Sequence, residues 1–565
     1  MNNFCLGYST LRVILDPKHP DREGKLLATY LRKISYPGGA VALVMLLGAR
    51  LLSAFYGQIH DCDETYNYWE PLHYLVYGSG LQTWEYSPVY AIRSYMPLWI
   101  FAIPAKLFSL FMEPVSVFYT LRAVLAVLTA WAELMFYKAV CHEFGLNVGR
   151  VWLALAIPAA GSFTSAAAML PSAWSAAICS AALACWWRRR YPPAVALIAA
   201  TTLLSWPFTA LIGLPIAIDM VVLKRQYMEF IKWSFISLVL RYFYLIIAPW
   251  NIVAYNIFTE HGPDLYGVEP WTYYFINGFL NFNIVWMLAL YCPVALYVCG
   301  SAAPRSTARA AFCSPYWADL MPLALWLAVF MLQPHKEERF LYPVYSMIIL
   351  SGAIALDCIQ KMVYTFGADI LKVRFEGAKV HYLSYTMPLM IVFTFAAGIS
   401  RITALYNNYH APMSILHNLP PTANERTVCF GKEWHRSPSS FHLPQGYVMR
   451  FIQSEFQGQM PAPYASTENA TRIIHPHFNN QNKGDERTYL KPSQCNYLID
   501  SDIGNQSTLE PAYYKDTSVW EVISNLPILN AEKSHKIFRA FHVPFFGENN
   551  LVYGSLYLLR NKFIA

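Results

Sequence analysis

The sequence predicts a polytopic α-helical membrane protein followed by a soluble C-terminal domain of mixed α/β character. Three observations predict it. Of 565 residues, 56% are hydrophobic and only 14% are charged, where soluble domains carry about 25% charged residues. The mean hydropathy is +0.29. Eleven apolar windows, nearly all about the length of a membrane-crossing helix, follow one another before residue 403, and beyond it the composition turns polar. The net charge of +7 is small for this length and is accounted for by basic loops. Nucleic acid, which needs a concentrated basic face, is not an expected partner.

Residues 1–35 are polar and basic, without an uninterrupted apolar core and cleavage site. The first apolar run, Val41 to Phe55, is therefore read as a retained transmembrane helix with a cytosolic flank before it. Further windows fall at 97–112, 116–138, 150–168, 171–187, 192–223, 230–249, 281–300, 316–334, 341–358 and 383–402. Lys224-Arg225, Arg305/Arg309 and the stretch from Lys361 through Arg374 to Lys379 read as cytosolic loops. Residues 250–280, the loop 335–340 and everything after 403 then share the opposite side. Counting back from Lys224 with 192–223 as two crossings puts the loop after the first helix in the cytosol. Counting forward from a cytosolic N-terminus puts it in the lumen. Taking 192–223 as one span broken at Trp206-Pro207 reconciles most of the signals and gives about 11 spans.

The expected organisation is a membrane domain over 1–402 and a soluble domain over 403–565. In the latter, Tyr447–Ile452 and 551–559 alternate like strands, and a helix is expected near Val519 to Leu529. Asn469-Ala470-Thr471 and Asn505-Gln506-Ser507 are glycosylation sequons that suit a lumenal location. The eleven cysteines form no CxxC pair. Cys429 and Cys495 are the two in this domain and can pair if it is lumenal.

The chemistry concentrates in residues 58–95, between the first two apolar segments. Asp61, Asp63, Glu64, Glu70 and Glu85 lie there with seven tyrosines and two tryptophans, among them Tyr66, Trp69, Trp84 and Tyr86. Carboxylates at a membrane surface serve as general bases or metal ligands, and aromatic rings stack on sugars; the bland alternative is a solvated acidic loop. A second block, Pro334 to Phe340, places His335, Lys336, Glu337, Glu338 and Arg339 between two apolar windows. Lys336 and Arg339 suit a phosphate, where a plain hairpin turn would more often hold Gly, Asn or Ser. A third loop, 250–280, contains His261-Gly262-Pro263-Asp264 and serves equally well as substrate contact or cover. Arg50, Lys106, Glu133, Asp219 and Arg241 interrupt apolar windows and receive no role.

Asp61-Cys62-Asp63-Glu64-Thr65-Tyr66-Asn67-Tyr68-Trp69-Glu70-Pro71, Gln82-Thr83-Trp84-Glu85-Tyr86-Ser87-Pro88 and His335-Lys336-Glu337-Glu338-Arg339-Phe340 resemble the signatures of glycosyltransferase family 22. Gly431 to Arg436 and Pro438 to Phe441 are similar to the branch that forms α-1,2 linkages in asparagine-linked glycosylation. The resemblance implies the GT-C fold and residence in the endoplasmic reticulum membrane. It implies dolichyl-phosphate mannose as donor, a dolichol-linked oligosaccharide as acceptor, and inversion by single displacement. It puts the shared acids on Asp63 and Glu64, with Asp61 where relatives carry His. Asp63 is then the first candidate base, Glu64 the second and Asp61 the third. Lys336, Arg339 and His335 would hold the donor phosphate, with Tyr66, Trp69, Glu70, Trp84, Glu85, Tyr86 and Glu338 around the substrate. No cofactor and no divalent metal are expected, although Asp61-Cys62-Asp63 has the form of a metal-binding pair. The alternatives are a sister enzyme acting on another linkage or on an anchor glycolipid and, remotely, a transporter. A transporter would place its polar residues at mid-membrane rather than between spans.

Overall fold

A computed structural model describes residues 36–242, 248–258, 263–301, 315–369 and 385–564. The N-terminal basic flank, Arg305, Arg309, Arg374, Lys379 and His261 lie outside the described residues.

The apolar windows become helices whose ends follow local chemistry. Helix α1 is Gly39–Tyr56, α2 Met96–Phe108, α3 Pro114–Glu143, α4 Leu146–Ala156 and α5 Pro171–Trp187. Proline opens α3 and α5, where its missing N–H has no intrahelical partner to lose. Window 150–168 is broken after α4 at Pro158, and helix α14 (Thr386–Tyr409) crosses that break closely. A Cβ on Gly398 would stand 2.0 Å from the Pro158 carbonyl oxygen, so only glycine fits. Window 192–223 is broken where expected, between α6 (Tyr191–Leu204) and α7 (Ala210–Ile218), at Trp206-Pro207.

Helices α8 (Tyr227–Tyr242) and α9 (Ala248–Phe258) follow, then α10 (Tyr273–Phe282) and α11 (Ile284–Ser301). The last two bend by 113° at Asn283, whose φ of +46° is uncommon for a residue other than glycine. Helices α12 (Pro315–Leu332) and α13 (Tyr345–Asp369) precede α14. Among the described residues, four spans meet the length and apolarity of a crossing: Gly39–Tyr56, Pro114–Glu143, Glu338–Val363 and Thr386–Tyr409. The bent pair makes a fifth, and five further apolar helices have 10–17 residues. Glu338–Val363 is 89% buried and so forms the centre of the bundle, whereas the α14 window is only 22% buried and faces outward.

Arg50, Glu133 and Asp219 inside the bundle have polar partners. Arg50 donates to both carboxylate oxygens of Glu133 at 2.9 Å and to the Ala156 carbonyl at 3.0 Å. Asp219 accepts from Trp186 Nε1 (3.0 Å) and the Tyr191 hydroxyl (3.1 Å). An unpaired charge in an apolar bundle would be costly, which accounts for these pairings.

The C-terminal domain is a six-stranded mixed sheet, β5-β3-β2-β6-β8-β7, made of β2 (Arg426–Phe430), β3 (Tyr447–Ile452), β5 (Tyr489–Leu490), β6 (Tyr497–Ser501), β7 (Trp520–Leu529) and β8 (Tyr553–Asn561). Both strand-like runs are strands. The helix expected near Val519 to Leu529 is instead β7, and this is a correction. Val522 and Ile523 are β-branched, and Pro527 would break a helix interior. An edge strand tolerates Pro527 because one side of it makes no ladder bonds. Alternation along β2 sends Val428 and Phe430 into one apolar layer and Cys429 into another. Cys429 forms a disulfide with Cys495, the Cα atoms 5.9 Å apart. The first layer also contains Tyr66 and Leu81 from the acidic loop. In addition β1 (Leu81–Gln82) pairs antiparallel with β4 (Ala462–Pro463), so loop and sheet domain share a ladder.

Candidate active site

The acidic loop is ordered by its own residues. Asp61 caps the short helix Cys62–Glu64, its Oδ1 accepting from the Asp63 N–H at 2.9 Å. A π-helical turn over Thr65–Trp69 follows, a rare geometry that is frequent at functional sites, and Glu70–Tyr77 continues as α-helix. The loop opens on a cavity of about 1020 Å³. The segments 203–211, 248–257 and 263–266, the loop 333–340 and residues 434–482 contribute the other walls.

Arg339 joins the two motifs. Its Nη1 is 3.1 Å from Asp61 Oδ2, its Nη2 is 2.7 Å from Asp63 Oδ2, and its Nε bonds Glu337. Arg93 makes a second anchor, with Nε 2.6 Å and Nη2 3.2 Å from the Glu85 carboxylate and Nη2 3.7 Å from Asp63. It also bonds the Tyr68 hydroxyl and lies over that ring, 5.1 Å from the centroid. His335 contacts the Gly267 carbonyl through Nδ1 (2.8 Å) and Glu337 through Nε2 (3.2 Å).

These contacts separate the carboxylates electrostatically. Burial pushes Asp61 up to about 7, even against the Arg339 charge. Burial acts on Asp63 as well, but Arg339 and Arg93 outweigh it and hold Asp63 below the ordinary carboxylate value. Burial opposes the His335 imidazolium, yet the hydrogen bonds to Glu337 and Gly267 raise its pKa above the usual value. Two carboxylates close together with different proton affinities make a site able to accept a proton and to order charge.

Donor atoms of Asp61, Cys62 and Asp63 lie within 4.8 Å of one another, near enough for one cation. Burial, followed by the neighbouring Asp63 and Asp61 charges, raises the Cys62 thiol far above its ordinary pKa. The Arg339 guanidinium spans both aspartates and competes with any divalent ion for them.

Of the residues predicted from sequence, Asp61, Asp63, Tyr66, Trp84, Glu85, Tyr86, His335 and Arg339 come together on the cavity. Tyr66 donates to the Trp434 carbonyl (2.6 Å) and stacks on that ring, 6.3 Å between centroids. The Tyr86 hydroxyl donates to the Asn67 carbonyl (2.7 Å). Trp84 packs against Tyr90 and Tyr255.

Five predicted residues lie off the cavity, each for a visible reason. Glu64 is 3% exposed and accepts from Trp69 Nε1 and the Met169 N–H, both at 3.0 Å, so it braces the loop against the bundle. Trp69 is buried between Phe118 and Phe441. Glu70 accepts from Ser440 N–H (2.5 Å), Ser440 Oγ (2.9 Å) and Leu81 N–H (3.0 Å), and so fastens the loop to the C-terminal domain. Lys336 donates to the carbonyls of Glu269 (3.1 Å) and Gln333, and Glu338 accepts from Asn277 Nδ2 (3.0 Å). The backbone bends at 334–335, is extended at Glu337 and turns into the 3-10 helix Glu338–Val344, so the side chains of this block leave in different directions. His335, Glu337 and Arg339 face the cavity, while Lys336 and Glu338 face away.

Sequence reasoning missed Glu337, Arg93 and the C-terminal contributors Trp434, Phe456 and Gln459. For Arg93 a signal exists, since it is the one Lys or Arg among the carboxylates of residues 58–95. Trp434 falls in the Gly431 to Arg436 stretch that carries the resemblance, whereas for Phe456 and Gln459 the sequence holds no comparable signal. The loop 250–280 also reaches the site: Tyr255 and Tyr266 line the cavity, and Glu269 N–H donates to the Pro334 carbonyl (3.0 Å).

Residues 41–444 match the Alg9-like mannosyltransferase family. The chain is 43% identical over 556 residues to "Alpha-1,2-mannosyltransferase Alg9" of Drosophila melanogaster, covering 93% of this chain and 88% of that one. It is 42% identical to the Homo sapiens "Alpha-1,2-mannosyltransferase ALG9", covering 93% and 89%. Among solved structures, ArnT from Cupriavidus metallidurans bound to undecaprenyl phosphate is similar with a TM-score of 0.45 at 14% identity, covering 73% of this chain and 84% of that one. With the family's extent covering the membrane bundle and both polar motifs, and relatives matching nearly end to end, the chain belongs to the Alg9-like mannosyltransferase family.

Proposed function

We propose that the chain transfers mannose from dolichyl-phosphate mannose to the 2-hydroxyl of terminal mannoses on a dolichol-linked oligosaccharide, forming α-1,2 linkages. Membership of its family makes it a mannosyltransferase of N-glycan precursor assembly. The proposal places it in the endoplasmic reticulum membrane in the GT-C fold, with about eleven crossings and with the acidic loop and C-terminal domain in the lumen. The observation that carries the residue-level reading is a single cavity with two kinds of wall. Leu203, Trp206, Phe208, Leu211 and Phe330 give one apolar wall, suited to a polyprenyl chain. Trp84, Tyr255, Tyr266, Trp434, Phe456 and Gln459 give aromatic rings and amides, suited to a glycan. The aspartate–arginine cluster lines the same cavity.

In this reading Asp63, kept ionised by Arg339 and Arg93, takes the proton of the acceptor 2-hydroxyl. The oxygen attacks the anomeric carbon of a β-linked mannosyl phosphate from the opposite face. The bond from that carbon to the phosphate oxygen breaks, and dolichyl phosphate departs with its electron pair. Arg339, Arg93 and His335 offset its charge through charge-assisted hydrogen bonds. The guanidinium that bridges the two aspartates supplies the positive charge a metal would otherwise provide, and no cofactor is required. The raised pKa of Asp61, about 7, favours a second reading with Asp61 as the base, since proton acceptors work best near the ambient pH.

Purified wild type, Asp63→Asn and Asp61→Asn are to be assayed in detergent with dolichyl-phosphate mannose and a defined dolichol-linked oligosaccharide, with and without chelator. Removing the base lowers kcat by about 10²–10⁴-fold. That loss in Asp63→Asn, with the donor still bound, is the expected outcome. The loss appearing in Asp61→Asn instead moves the base. Sensitivity of the wild type to chelator brings a metal into the site, and absence of any transfer overturns the activity.

A further inference from the structure

The C-terminal domain turns an apolar knuckle outward where a well-packed sheet domain would hide it. Pro544, Phe545 and Phe546 follow one another on the surface, Phe545 being 93% and Phe546 68% exposed. Phe545 also sits at φ +68°, a region that bulky side chains seldom occupy. The turn is closed by Gly547 N–H donating to the Val543 carbonyl (3.0 Å) and by Asn550 Nδ2 donating to the Phe546 carbonyl (2.8 Å). The neighbouring helix α15 (Lys536–Ala540) adds the exposed Ile537.

What lies beside this knuckle identifies what covers it. The segment is fastened to α14 by four hydrogen bonds. His542 N–H donates to the Ser400 carbonyl (3.1 Å) and Ser400 Oγ to the His542 carbonyl (2.8 Å). Arg401 Nη1 donates to the Ala540 carbonyl (3.0 Å) and Asn408 Nδ2 to the Arg539 carbonyl (3.1 Å). Of the four long spans among the described residues helix α14 is the least buried, and its outer face carries Leu389, Val392, Phe393, Phe395 and Ile399. Three residues of extended chain span about 10 Å, so Phe545 lies within that reach of His542, which is bonded to Ser400, the residue after the last of that stripe. The docking level coincides with the end of that stripe, since Ser400 and Arg401, which bond the segment, directly follow Ile399. Lys533 and Lys536 stand exposed nearby, placed for lipid phosphates.

We propose that Phe545 and Phe546 insert into the bilayer interface beside α14 and anchor the C-terminal domain to the membrane surface. The exposed apolar knuckle is then continuous with the lipid-facing stripe of the helix. The anchor would hold the sheet domain, which carries Trp434, Phe456 and Gln459, over the cavity that the membrane helices form.

The test uses the full chain in phosphatidylcholine vesicles with a nitroxide on Phe545→Cys or Phe546→Cys, the signal of the labelled unsubstituted protein being subtracted. Val392→Cys supplies the lipid reference and Thr467→Cys the water reference, both being exposed. The anchor requires that labels at 545 and 546 collide more with oxygen than with a water-soluble nickel chelate, as at 392. A preference for the nickel chelate, as at 467, overturns it. Protection from both reagents also overturns it, because a second copy of the chain would then be the cover.

Discussion

Arg339 bridges Asp61 and Asp63 through the two arms of one guanidinium, at 3.1 and 2.7 Å. The forked donor set neutralises two like charges at once, which a point charge on a flexible stem does not do. Arg339→Lys is therefore expected to lower kcat by about 10²–10³-fold, the scale of one lost charge-stabilising donor. Lys336, two of whose carbonyl partners are those of Glu269 and Gln333, behaves differently. Lys336→Met should lower Tm, at a cost of about 0.5–1.5 kcal/mol per lost hydrogen bond, and leave the donor KM unchanged. Steady-state kinetics and thermal unfolding of the two variants separate these outcomes.

The pH profile discriminates between the aspartates. A carboxyl held below its ordinary pKa stays ionised as pH falls and is lost only when pH passes that lowered value. With Asp63 as base, mannosyl transfer should hold as pH falls from 8 to 6. An acid limb near pH 7 that disappears in Asp61→Asn would instead report the raised Asp61.

Glu70 acts as a fastener in this structure. Glu70→Ala leaves three donors from Ser440 and Leu81 without their acceptor in a buried place. Each unsatisfied donor costs about 1–3 kcal/mol, so Tm should fall markedly and kcat with it. Glu70→Gln should rescue little, because its amide donor meets other donors. A raised acceptor KM at unchanged Tm would return Glu70 to the substrate site.

The Cys429–Cys495 disulfide closes a loop of sequence separation 66. Removing it by Cys429→Ala with Cys495→Ala should cost about 4 kcal/mol by loop-closure entropy. Thermal unfolding is expected to show the loss, with transfer retained at low temperature.

Much of the site was readable because its chemistry is locally dense. Asp61 and Asp63 are two residues apart, and His335 and Arg339 fall in one block, so composition alone marked both loops. The membrane helices were readable for a related reason, since apolarity accumulates over consecutive residues and Pro158 and Trp206-Pro207 mark breaks. The end of the chain was read less well. Pro527 argued against a helix at Val519 to Leu529, and the partner strand that accepts it, β8, lies at 553–561.

By itself the sequence determined a chain of apolar helices, an acidic aromatic loop facing a basic block, a strand-rich end and a family. Each of these is carried by neighbouring residues. Tertiary structure alone decided which members of each block meet. Glu64 and Glu70 look like Asp61 and Asp63 in sequence, but Met169 and Ser440 draw them inward, whereas Arg339 holds the aspartates at the cavity. Lys336 and Arg339 look equally suited to phosphate, but the Glu269 and Gln333 carbonyls hold one away from the site and the aspartates hold the other in it. Partners distant in the chain and the direction of each side chain set these outcomes, and neither is written in local composition.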